Sequence, residues 1–81
     1  MALDVRGTPE WQIRLYLEGL GGVPQPDGSV AGPGWTARLE TGEHRAFGTL
    51  LPRVVISFEG ETAAISAAEK ALRLRAMRAG G

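Results

Sequence analysis

Trp35-Thr36-Ala37-Arg38-Leu39-Glu40-Thr41-Gly42-Glu43-His44-Arg45-Ala46-Phe47-Gly48-Thr49-Leu50 is the stretch on which the fold turns. Trp35, Ala37 and Leu39 alternate with Thr36, Arg38 and Glu40, the period of two that marks a half-buried strand. Gly42-Glu43 suits a type II′ hairpin turn, because glycine takes a positive φ without a Cβ clash. A turn there sets Thr41 against His44. Glu40 then faces Arg45, Leu39 faces Ala46, Arg38 faces Phe47 and Trp35 faces Leu50. One face becomes apolar throughout, while the other opposes unlike charges and lays a guanidinium over an aromatic ring. Trp35, Leu39 and Leu50 are thus expected in the core. Arg38, Arg45 and Phe47 are expected on an open sheet face, where they form a candidate surface for a small ligand or a single strand.

On the N-terminal side, Thr8-Pro9-Glu10 reads as a helix start, with Thr8 as N-cap, Pro9 at the first helical position and Glu10 near the positive dipole end. Ile13, Tyr16, Leu17 and Leu20 form one apolar stripe, and Gly21-Gly22 ends the helix. Trp11 and Leu15 lie opposite that stripe, on a wider buried face or a second contact surface. The run from Val23 to Gly34 is rich in turn formers, with Ser29-Val30-Ala31 as a short edge strand. On the C-terminal side, Leu51-Pro52 is expected to interrupt the ladder before a strand from Arg53 to Glu59 with Val54, Ile56 and Phe58 on one face. Gly60 breaks that strand. A last helix follows, with Ile65, Ala68, Leu72 and Ala76 as its core stripe, widened by Ala64 and Ala71. Leu74 and Met77 fall on its far side and are a candidate oligomer contact.

The pattern predicts one domain over residues 1–81, with a helix over 9–21, antiparallel strands over 28–59 and a helix over 61–79. The class is α+β, a two-layer sandwich in the order α-β-β-β-β-α, with both helices on one face of a sheet of about four strands.

Composition narrows the function. Eighty-one residues lie near the lower limit for a self-sufficient core, and the absence of cysteine excludes disulfides, thiolate nucleophiles and cysteine-based zinc sites. The net charge is zero, so no global field recruits nucleic acid or an anionic membrane. No apolar run reaches membrane-spanning length and the N-terminus has no signal-peptide pattern, so a cytoplasmic protein is expected.

His44 is the lone histidine and no partner at a spacing suited to catalysis accompanies it. Metal ligation lacks a ligand set, and no cofactor motif is present: Gly19, Gly21 and Gly22 follow a helix, whereas phosphate-binding loops open one. Glu59 and Glu61 flank a strand-to-helix turn, where acids favour the helix start. The closing Gly80-Gly81 has two readings. It is either the cap of the last helix or the terminus of a sulfur-carrier-like protein, activated at its carboxylate.

Several segments carry a family resemblance: Arg14-Leu15-Tyr16-Leu17-Glu18-Gly19-Leu20-Gly21-Gly22, Gly32-Pro33-Gly34, Gly48 to Glu61, and Gly80-Gly81. Together they resemble the domain that follows the ubiquitin-like module in proteins related to the molybdopterin synthase small subunit, the MoaD-related proteins. The resemblance implies a TATA-binding-protein-like α+β fold and a setting in molybdenum-cofactor or sulfur-transfer biology, and it carries over no catalytic residue. The expectation is a non-enzymatic interaction domain with a protein partner, and with self-association through Leu74 and Met77. The carrier and the open-face ligand binder stand as alternatives.

Overall fold

The structure, a computed structural model, describes the chain from Ala2 to Gly80 and its side chains from Ala2 to Ala76. Its elements are β1 (Ala2–Arg6), α1 (Glu10–Gly19), β2 (Val23–Pro24), β3 (Val30–Gly32), β4 (Trp35–Ala46), β5 (Thr49–Gly60) and α2 (Thr62–Gly80). The strands form one antiparallel sheet in the order β1-β5-β4-β3-β2. The two-layer α+β class expected from the pattern is what the chain adopts, with five strands.

The additional strand is β1. Leu3 and Val5 are buried and alternate with exposed Ala2, Asp4 and Arg6, and the strand pairs with Arg53–Ser57 of β5. So short a run carries little local signal, and its pairing partner lies at the other end of the chain. β3 matches the expected short strand, shifted by one residue, but it is not the edge: the two residues of β2 lie outside it.

The hairpin exists with a different turn. The strands meet at Phe47-Gly48, and the register runs one-to-one from Ala46–Thr49 to Trp35–Gly60. Phe47 at φ 52° and Gly48 at φ 75° supply the two positive values of a type I′ turn, whereas Gly42 stays extended within β4. The longer hairpin wins because of what it places beside the core residues. Ala37 and Leu39 face Phe58 and Ile56, where the shorter one would have given them Gly48 and Ala46. Leu50, expected in the core, is 53% exposed.

Pro52 does not interrupt β5. It lies opposite Glu43, and its carbonyl accepts a hydrogen bond from the Gly7 amide on the β1 side, 2.8 Å. The proline nitrogen faces that same side, beyond the end of β1, so no bond to β4 is lost.

Trp35, Ala37, Phe58, Ile56, Val54, Leu3, Val5 and Val30 form the inner face of the sheet, packed against Ile13 and Leu17 of α1 and Ile65, Ala68 and Leu72 of α2. Both helices therefore cover one face. The helix stripes fall as their periodicity predicts, with Tyr16, Leu20, Ala64 and Ala76 at the margins. Trp35 anchors the cluster: it meets the Phe58 ring edge-on at 5.9 Å, and its indole lies so close to Gly32 that any Cβ there would overlap it. Pro9, not Thr8, is the N-cap of α1, and its carbonyl accepts from the amides of Gln12 and Ile13. At the other end Gly21, at φ 95°, completes a Schellman motif: Gly22 N–H donates to Leu17 and Gly21 N–H to Glu18.

Candidate functional site

The neighbours of the β4–β5 ladder end before the ladder does. β3 covers the outer side of β4 from Trp35 to Ala37, and β1 covers β5 from Arg53 to Ser57. Beyond the row Gly42–Arg53 the two strands continue alone as a ribbon through the Phe47-Gly48 turn. At strand rise this ribbon projects about 15 Å from the sheet, which contributes to the elongated 40 × 25 × 20 Å envelope.

Phe47 sits at the tip of the ribbon, fully exposed at 103% and in the left-handed backbone region. A bulky aromatic residue there is strained, and its ring is not buried in return. Leu50 adds a second exposed apolar side chain directly behind it, opposite Arg45. Among the described residues, Glu43 and Arg45 of the ribbon make no ion pair.

Arg38, Arg45 and Phe47 are not brought together. Arg45 lies seven positions along the strand from Arg38, about 24 Å at strand rise, and their odd and even positions put them on opposite faces. Arg38 instead reaches Asp27 in the β2–β3 turn, at 3.7 Å. Ser29 donates its hydroxyl and its backbone amide to Asp27 Oδ1, at 2.6 and 2.9 Å. These Ser29 bonds and the nearby Arg38 charge hold the Asp27 carboxyl below its ordinary pKa. Arg14, Asp27, Gly28, Ser29, Arg38 and Leu39 line a shallow hollow of about 190 Å³ at the end of β3. Its two arginines are already matched, Arg38 by Asp27 and Arg14 by Glu10 at 3.6 Å.

A second ordered polar cluster lies farther across the same open face of the sheet. Arg53 grips Asp4 with both ends of its guanidinium, Nε at 3.1 Å and Nη2 at 2.9 Å, and Arg6 approaches the same carboxylate at 3.5 Å. Hydrogen bonding from Arg53, with the charges of Arg53 and Arg6, keeps the Asp4 pKa low against a smaller opposing desolvation. The cluster stitches β1 to β5 at the root of the ribbon.

His44 lies partly buried in the ribbon opposite Leu51. No cluster of three or more histidine, aspartate or glutamate residues occurs among the described residues. On the helices, Trp11 and Leu15 of α1 are exposed, as is Leu74 of α2. The Met77 side chain and Gly81 lie outside what is described, and Gly80 is the last residue of α2. No helix of the described chain is long and apolar enough to cross a membrane.

These features define a small two-layer α+β domain, one sheet face under two helices and a bare two-stranded ribbon at its end. The chain belongs to the archaeal MoaD-like protein family, whose model it matches over residues 1–81. This agrees with the resemblance to MoaD-related proteins carried by the turn and apolar positions. No curated protein matches the chain.

Proposed function

We propose that this chain is a non-enzymatic, cytoplasmic interaction domain, accessory to molybdenum-cofactor or sulfur-carrier machinery, with the β4–β5 ribbon as its docking element. The carrying observation is Phe47, a fully exposed aromatic at a strained backbone position on the tip of a projecting ribbon. Backbone strain persists where something outside local stability retains it, and aromatic side chains are the residues that anchor protein interfaces. Membership of the archaeal MoaD-like family supports this choice of biological setting. A photoreactive phenylalanine analogue at position 47 tests this in the source cells. The expected adduct joins the chain to a sulfur-transferring or cofactor-assembling protein. The proposal falls if position 47 gives no adduct, or only those also obtained from an exposed position such as 15 on α1.

A second role, that of a sulfur-carrier-like protein, is favoured by membership of the archaeal MoaD-like family. In it ATP adenylates the Gly81 carboxylate with release of pyrophosphate, and sulfide then displaces AMP to leave a thiocarboxylate. Incubation with ATP, an activating enzyme and a sulfur donor would then raise the intact mass by the difference between sulfur and oxygen. An unchanged mass removes this role. Since Arg38 stands apart from Arg45 and Phe47, a ligand site on the open sheet face is no longer supported.

A further inference from the structure

The outer edge of β4 from Leu39 to Ala46 has no strand beside it, because the β3 pairing ends at Val30–Ala37 and the Asp27–Ser29 turn beyond it lies beside Arg38 and Leu39. We propose that this edge pairs antiparallel with the same edge of a second copy, about a two-fold axis at Gly42, joining two sheets into one.

The direction of the backbone groups sets the geometry. Ala46 and Thr49 close a two-residue hairpin, so the even-numbered residues of β4 direct their N–H and C=O groups at β5. Leu39, Thr41, Glu43 and Arg45 direct theirs away from β5, Leu39 at the margin of the β2–β3 turn and the other three with no strand beside them. The register with β5 is one-to-one throughout, so no bulge twists the edge away, and it contains no proline. The other free edges differ. The β5 overhang carries Pro52, and β2 is two residues long and includes Pro24.

Symmetry, charge and the length of the pairing then favour one register, since an axis at His44 would run Thr41 onto Phe47 in the second copy's turn. Two-fold antiparallel pairing must match outward residues with outward residues. With the axis at Gly42, Leu39 pairs with the second copy's Arg45 and Thr41 with its Glu43, which gives about eight hydrogen bonds between the chains. The intervening residues set Glu40 opposite the second copy's His44, and no like charges face each other. Moving the axis to Glu43 or Glu40 sets that glutamate against its own copy. Moving it to Thr41 sets Arg38 against His44 and drives Arg45 onto Ala37, whose outer side β3 occupies. Gly42 itself is unexplained within one chain: its φ is not positive, and a Cβ there would touch nothing within 4 Å. Glycine inside a strand is unfavourable unless another backbone comes close, and the axis brings one there.

Phe47 lies in the turn beyond the paired segment, so Phe47→Ser should leave self-association unchanged whatever becomes of the docking role. Sedimentation of the full chain from about 1 µM to 1 mM should show a monomer–dimer equilibrium, weakened at least about tenfold by Thr41→Pro. Amide exchange identifies the surface. Glu40, Gly42 and His44 should be protected at every concentration, whereas Leu39, Thr41, Glu43 and Arg45 should gain protection only as dimer forms. Glu40→Lys should weaken the dimer about three- to tenfold, and adding His44→Glu should restore it, since within one chain these two side chains are too far apart to pair. A monomer over the whole range overturns the proposal. So does a dimer whose four outward amides still exchange freely, or one indifferent to both Thr41→Pro and the charge swap.

Discussion

The two halves of the β4–β5 ladder share one register and one turn but obey different rules. Near the root, Trp35, Ala37, Val54, Ile56 and Phe58 are each at most 5% exposed, and each row is covered by helices on one side. Past Gly42–Arg53 the alternation of side chains continues, yet nothing covers either face, and Leu50 occupies a core-facing position in open solvent. Backbone hydrogen bonding and a few cross-strand contacts such as His44 against Leu51 carry the ribbon, and an isolated two-stranded hairpin is marginal in water. The lesson is that pleat periodicity assigns a face, whereas burial depends on whether another layer reaches that far.

The contrast breaks most visibly at its packed end. Trp35→Ala removes the ring held between Phe58 and Gly32 and should destabilise the domain by about 3–5 kcal/mol, read as a lower urea midpoint. For a chain of this size that is a large share of the total stability. Leu50→Ala, on the same face of the same ladder, should change stability by less than about 0.5 kcal/mol. Equal effects would mean that the ribbon is packed after all.

How much of this was legible in the sequence follows from the same contrast. The helix stripes, the Gly21 stop and the core role of Trp35 were readable because each rests on local spacing or on a residue too large to leave exposed. The turn was misplaced because Gly42-Glu43 and Phe47-Gly48 both offer a two-residue hairpin, and local chemistry favours the first. What decides is the long-range gain from setting Ile56 and Phe58 beside Leu39 and Ala37. β1 was missed for a related reason, since Leu3 and Val5 need a strand some fifty residues away to reveal their role. Moving the turn also dissolved the grouping of Arg38, Arg45 and Phe47. The free β4 edge was invisible for the same cause: it exists only because β3 is short and the hairpin long.

At the tip the expected effect changes sign. Phe47 contributes strain at φ 52° and no buried surface, whereas asparagine accepts that conformation and asparagine-glycine is a favoured type I′ pair. Phe47→Asn should therefore stabilise the domain by about 0.5–1 kcal/mol in urea unfolding while weakening the interaction proposed for the ribbon. Loss of stability would show that the ring packs on something within the chain, and the contrast between the two halves would fade.

The smallest effect belongs to the boundary between the halves, where Arg53 holds Asp4. The Asp4 pKa is lowered below 3.8 chiefly by its hydrogen bonds from Arg53. A carboxyl with a folded pKa below its unfolded value binds protons more readily when unfolded. Its stabilisation is therefore complete above the unfolded pKa and disappears as pH falls through the folded one. Asp4 is exposed, so the contribution is screened, and salt should reduce it further. Unfolding followed from pH 6 downward should show wild type losing stability relative to Asp4→Asn below about pH 4, with the two curves parallel above it. Because the pair joins β1 to β5 at the last covered row, amide exchange in Asp4→Asn should quicken in β1 before it changes at Trp35. Faster exchange confined to the ribbon would instead place the root of the overhang beyond Arg53.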